Sequence, residues 1–189
     1  MKPRTTQNGF SLIEALVALL VITIGLLGVA GLQALAVNNT HSASLRSIAA
    51  MEASNMAAYM AANASYWAYV APAGLTVTPI GASATFTGAG ASVLASAMPS
   101  SCTGTSSNCS AKGMAAWDLR NWGIGLGRQL PAAQGHVACY TAVNDPMTCV
   151  ISVQWREKTL ALNAPGASGT AVAPAPSTTM QTYSLVTQP

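Results

Sequence analysis

The chain has 189 residues, a formal net charge of +3 and only 7% charged side chains, against about 25% in an average soluble protein. Hydrophobic residues make up 51% of it, so its surface must be built largely from Ser, Thr, Asn, Ala and Gly. So little charge offers no broad basic patch for nucleic acid, and the length leaves room for one modest globular domain beside a membrane segment.

Residues 1–9, MKPRTTQNG, are polar, carry Lys2 and Arg4, and end in Gly9. From Phe10 to Leu32 runs FSLIEALVALLVITIGLLGVAGL, interrupted by a single carboxylate, Glu14. A continuous apolar stretch of this length spans a bilayer. A secretory signal keeps its apolar region inside the removed piece, whereas a cut at Gly9 would leave this one on the mature chain as a working element. Lys2 and Arg4 precede the span and the next basic residue is Arg46, which puts the leader in the cytoplasm and the bulk of the chain outside the inner membrane. Loss of the leader would leave six of the eight basic residues against five acidic ones, a net charge of +1. An ionised carboxylate within an apolar span costs roughly 2.5 to 3.5 kcal/mol on insertion scales. Glu14 is therefore either wet at the cytoplasmic boundary or kept for a partner.

The run Gly9-Phe10-Ser11-Leu12-Ile13-Glu14, followed by Ala15-Leu16-Val17-Ala18, resembles the class III leader of type IV pilins and of the pseudopilins of type II secretion. The resemblance implies scission between Gly9 and Phe10 by a prepilin peptidase and methylation of the new amino terminus at Phe10. It further implies that Glu14 faces the positive amino terminus of a neighbouring subunit in a filament core. The implied partners are other major and minor pilins, the inner-membrane assembly platform and a tip adhesin, with no cofactor.

Beyond Leu32 the helical pattern continues. Gln33 to Asn63 contains no proline and is rich in good helix formers, and Leu45, Ala49, Met56 and Met60 fall on one face beside Ile48 and Tyr59. Residues 10–63 as one rod would reach about 80 Å at about 1.5 Å per residue. The expected organisation is a leader at 1–9, a transmembrane and filament-core helix at 10–32, an amphipathic continuation at 33–63 and a periplasmic globular head at 64–189. Gly25, Gly28 and Gly31 in the first half suit either close helix packing or local weakness of the helix.

Residues 71–111 thin into Ala, Gly, Ser, Thr and Pro and read as a loop region with one strand at most. Met114 to Leu130 reads as a short second helix with an apolar stripe of Leu119, Trp122, Leu126 and Leu130, frayed by Gly123, Gly125 and Gly127 and closed by Pro131. Val137, Cys139, Thr141 and Val143 then alternate with small or polar residues, and Asn144-Asp145-Pro146-Met147 supplies turn chemistry. A returning strand carries Cys149, Ile151, Val153 and Trp155 on its apolar face. Residues 163–179 read as a loop, and Gln181 to Thr187 as a last strand around Tyr183 and Leu185. The fold class is α+β: a pilin-like long N-terminal helix packed on a small antiparallel sheet with loop-rich insertions.

Four cysteines, Cys102, Cys109, Cys139 and Cys149, suit an oxidising compartment and lack the paired short spacings of zinc knuckles. His41 and His136 lie apart from any ligand-like cluster, so no metal site is expected. Three connectivities are open. The sequential one, Cys102 with Cys109 and Cys139 with Cys149, is preferred because Cys139 and Cys149 share the apolar face of the hairpin.

Trp117-Asp118-Leu119, Trp122, Leu130-Pro131, Gly135 and the strand Val150-Ile151-Ser152-Val153-Gln154-Trp155-Arg156 look like the head of PilV-type minor pilins. Trp117, Trp122 and Trp155 are expected as core anchors. No nucleophile has an evident base, there is no nucleotide loop, and the five acidic residues are scattered, so no enzyme is expected. The resemblance implies a minor pilin that helps to initiate or cap a type IV pilus, supporting adhesion and twitching motility. The alternatives are a minor pseudopilin of type II secretion, a membrane-anchored periplasmic enzyme and a DNA-uptake pilin, the last through clustering of Lys112, Arg120 and Arg128.

Overall fold

A computed structural model describes residues 11–70, 73–103, 108–141, 145–159 and 177–189. The leader, Gly9 and Phe10, and most of the expected loop at 163–179 lie outside the described residues. Two compact units divide the chain, Met1–His41 and Ser42–Pro189, and helix α1, Leu12–Ala62, contributes to both.

Within the first unit, every described side chain from Ser11 to Ala34 is exposed, Leu12 at 79% and Leu27 at 73%. A methyl group added at Gly25, Gly28 or Gly31 would meet nothing within 4 Å, so no contact among the described residues requires these glycines.

The second unit is a five-stranded sheet covered by helices. Its elements are the rest of α1, then α2 (Ala64–Trp67), β1 (Leu75–Ile80), β2 (Ser83–Gly88), α3 (Ala91–Ser96), α4 (Ala111–Gln129), β3 (Gln134–Tyr140), β4 (Thr148–Thr159) and β5 (Ser177–Thr187). The strand order is β2-β1-β3-β4-β5 and every pairing is antiparallel. Period-two alternation puts Leu75, Val77, Val137, Ile151, Val153 and Trp155 in the core and leaves hydroxyls on the other face. There the side chains of Thr76 and His136 meet at 3.1 Å and those of Ser152 and Ser184 at 2.8 Å.

The buried stripe of α1 is Leu45, Ala49, Glu52, Ala53, Met56 and Met60. Tyr59, expected on that face, is exposed, because it lies one position round from Met60 toward solvent. Residues 71–111 were expected to hold one strand at most, but they form β1, β2 and α3. Gly81, with φ 57°, and Ala82 close a two-residue hairpin in which Ile80 faces Ser83. Glycine at the first central position is what the right-handed twist of such a tight hairpin favours.

Helix α4 begins at Ala111, three residues before the expected start. The Ser110 hydroxyl caps it by accepting from the Gly113 N–H at 3.1 Å. Its glycines do not fray it. A Cβ at Gly123 would lie 2.6 Å from the Ala84 Cβ and 2.7 Å from Val77 Cγ1, so the missing side chain lets the helix sit directly on β1 and β2. The close approach compensates for the weak helix propensity of glycine. Trp122 and Trp155 are core residues and so is Trp67, while Trp117, expected as an anchor, is only partly buried. Its position on α4 lies away from the apolar stripe, and it stacks on Arg120 instead. Strand β3 ends at Tyr140, short of the expected Val143, residues 142–144 being outside the description. Strand β5 starts at Ser177, four residues earlier than expected, because β4 extends to Thr159 and pairs with it along its length.

The cysteines are joined in sequence order. Cys102 bonds Cys109, with Cα atoms 5.8 Å apart, and Cys139 bonds Cys149 at 4.0 Å. The second pair sits directly opposite across β3 and β4 and is buried. Replacing Cys139 and Cys149 together by alanine, which leaves no buried hydroxyl, is expected to cost about 2 to 3 kcal/mol by freeing the unfolded chain. Denaturant melts of the full chain with and without the pair measure this, and an unchanged midpoint would contradict it.

Candidate functional site

The first turn of α1 begins at Leu12, and the carbonyl of Ser11 accepts from the N–H groups of Glu14 at 3.1 Å and Ala15 at 3.2 Å. Glu14 is thereby fixed in the first turn, where the positive end of the helix dipole favours a carboxylate by about 0.3 to 1 kcal/mol. It is exposed, as are Leu12, Ile13, Leu16, Val17, Leu19, Leu20 and the apolar residues that follow. This is one carboxylate at the head of an apolar helix whose side chains from Ser11 to Ala34 are all exposed. Water does not tolerate such a surface, so lipid or other protein must cover it. By length and composition α1 can cross a membrane, and it is the one described helix that can.

The described residues hold no group of three or more His, Cys, Asp and Glu suited to a metal ion. Residues 4–30 match the family model described as the prokaryotic N-terminal methylation motif. That match supports a type IV pilin-like N-terminus, of the kind a prepilin peptidase processes for assembly with other pilins, and the apolar helix is consistent with a single-pass anchor. No curated protein and no solved structure matches the chain.

Gly9 and Phe10 fall inside the matched segment but outside the described residues, so of the sequence-predicted assembly residues only Glu14 has a structural setting. Lys112, Arg120 and Arg128 do not cluster. They are strung along α4, eight residues and about 12 Å apart at each step.

Three polar features of the head were given no role by the sequence reading, Asp118 having entered it only as part of Trp117-Asp118-Leu119. Glu52 is buried on the inner face of α1. Its carboxylate accepts from Gln129 Nε2 at 2.5 Å, and its backbone carbonyl accepts from the Trp122 indole N–H at 2.9 Å. Both bonds join α1 to α4. The available signal was a lone acid in register with the apolar stripe, between Ala49 and Met56. Glu157 is buried on β4 and accepts from the Ser42 hydroxyl, a long-range pairing that local sequence could not announce.

Asp118 is the third. Partly buried on α4, its carboxyl is pushed up to about 6 by desolvation. An unfolded carboxyl titrates near 3.8, so between those values the folded protein holds a proton that the unfolded chain has released. Stability from this group is therefore full below about pH 4, falls as pH rises to about 6 and is flat above. With solvent screening of a half-exposed group the loss is on the order of 1 kcal/mol. Asp118→Asn is expected to raise the melting temperature relative to the parent at pH 7 and to match it at pH 4. An equal difference at both pH values would show that the carboxyl is not desolvated.

Proposed function

We propose that this protein is a minor pilin of the PilV type, a low-abundance subunit that helps to initiate or cap a type IV pilus. The observation that carries the reading is the conjunction of the methylation motif over residues 4–30 with an apolar helix exposed along its first half and headed by Glu14. In this reading the chain enters the inner membrane with its head in the periplasm. The peptidase cuts between Gly9 and Phe10 and methylates Phe10, and the assembly platform then moves the subunit from lipid into a filament core. The apolar surface of α1 is covered in both places, so transfer leaves the hydrophobic burial nearly unchanged and polar groups decide the preference. The weakly charged head suits a rare subunit at the tip of a fibre, beside other minor pilins and an adhesin, in support of adhesion and twitching motility.

Deletion of the chain tests this reading, with surface pili, twitching and protein secretion scored together. Loss of pili and twitching with secretion intact is the expected result, whereas loss of secretion alone would assign the chain to a type II secretion pseudopilus. Gly9→Leu should insert in the membrane normally and keep its leader, because only access to the scissile bond changes while the apolar span is untouched. Intact mass of the membrane-extracted protein reads this directly, and a leader lost at the parental rate would refute it.

A further inference from the structure

Strand β2 lies at the edge of the sheet and its described pairing is to β1 alone. Beside it opens a pocket of about 340 Å³ walled by the whole of Ser83 to Phe86 on β2, Ala95 of α3, Met98 and Arg120 of α4. This volume holds one long side chain and is near the lower limit for a small-molecule site.

Arg120 is the unusual member of that wall. Its Nε is buried with no hydrogen-bond partner among the described residues, in a class of donor that is nearly always paired. The guanidinium carbon stands 4.9 Å from the centroid of the Trp117 ring, so stacking holds the fork in one plane before any ligand arrives. Asp118, two residues away, is not its partner. Side chains two residues apart on a helix leave it in different directions.

We propose that the outer edge of β2 is a docking site for an extended segment of another protein, which adds as a further strand and places one carboxylate-bearing side chain in the pocket against Arg120. A strand laid on an edge sends alternate side chains toward one face of the sheet, here the face that carries the pocket. Ala84, Phe86 and Met98 give the pocket an apolar part beside the guanidinium, whose planar fork matches a carboxylate in two-point contact. The charge and size of the pocket select a single Glu-like side chain flanked by β-forming residues. This site is separate from α1 and stands whether or not the chain assembles into a fibre.

The test uses the full chain in detergent micelles and a fluorescein-labelled, acetylated and amidated six-residue peptide of valine and threonine with one central glutamate. Saturable binding is expected by fluorescence anisotropy. It should weaken at least tenfold when the peptide glutamate is replaced by glutamine, when alternate peptide nitrogens are methylated, and in Arg120→Gln. Ala95→Glu keeps the test independent of any folding defect at Arg120, because Ala95 is exposed on α3. Its new carboxylate should occupy Arg120 and abolish binding while leaving the thermal melt unchanged. Equal binding of the glutamate and glutamine peptides, no binding of either, or undiminished binding to Ala95→Glu would overturn the proposal. Competition by free butyrate at the same concentration as the peptide would also overturn it, by showing a small-carboxylate site in place of strand addition.

Discussion

Glu14→Ala is expected to lose its leader at the parental rate and yet to reach sheared filaments at a tenth of the parental level or less. In the proposed maturation the peptidase acts at the junction of Gly9 and Phe10, which the substitution does not touch. In the proposed assembly a charged amino terminus enters an apolar core, and a buried charge left without its partner costs about 3 to 5 kcal/mol. Since 1.4 kcal/mol is tenfold in an equilibrium, even half of that cost removes most of the incorporation. A local role for Glu14 also exists, because it lies in the first turn of α1 and stabilises the helix through the dipole. That effect is about 0.3 to 1 kcal/mol and acts equally in the membrane and in the filament, so it cancels from the ratio between them. The measurement is this ratio for processed protein, with an epitope tag in the 163–179 segment. Glu14→Asp should recover part of the loss, its shorter reach spoiling the hydrogen-bond geometry. Parental incorporation of Glu14→Ala would reduce the carboxylate to a helix-terminal or interfacial residue.

The parts of this molecule that were legible in the sequence are those where one period dominates. The apolar run of α1, its stripe at Leu45, Ala49, Met56 and Met60, and the alternation through Cys139 and Cys149 to Trp155 each state a face plainly. The hairpin of β1 and β2 was obscured because its alternation is carried by few large residues, Leu75, Val77 and Phe86, among Ala, Ser, Thr and Gly. Pro79 obscured it further, since proline argues against an interior strand. It is tolerated because β1 pairs with β3 only from Leu75 to Val77, leaving Pro79 beyond that ladder. Fraying of α4 was misjudged for a related reason: propensity scales see Gly123 as a defect, whereas packing against Ala84 and Val77 makes it a fit. Arg120 could be placed on a helix from sequence, but its pocket exists only because β2 and α3 pack beside that helix. Adjacency of this kind is set by topology and leaves no local trace.

Gly135→Val is expected to destabilise the head by about 3 kcal/mol and to lower its melting temperature by on the order of 10 °C. Gly135 sits on the central strand, paired with Val77 on one side and Val153 on the other. A Cβ there would lie 2.3 and 2.4 Å from two atoms of the Trp122 ring and 3.0 Å from Leu126 Cδ1. The ring has little freedom to retreat, for it is buried and its indole N–H donates to the Glu52 carbonyl at 2.9 Å. Overpacking a filled core costs about 1 to 3 kcal/mol, and breaking the indole bond to make room adds about 1 kcal/mol. Gly125→Ala supplies the contrast. Its Cβ would come no closer than 3.7 Å to the Glu52 carboxylate, an ordinary contact, and alanine gains about 1 kcal/mol of helix propensity over glycine. That variant should melt at or slightly above the parental temperature. Thermal melts of the full chain followed by tryptophan fluorescence compare the two directly. Equal melting of both variants would mean that the Trp122 ring yields freely, and that the contact of α1 with α4 through Glu52 does not hold it in place.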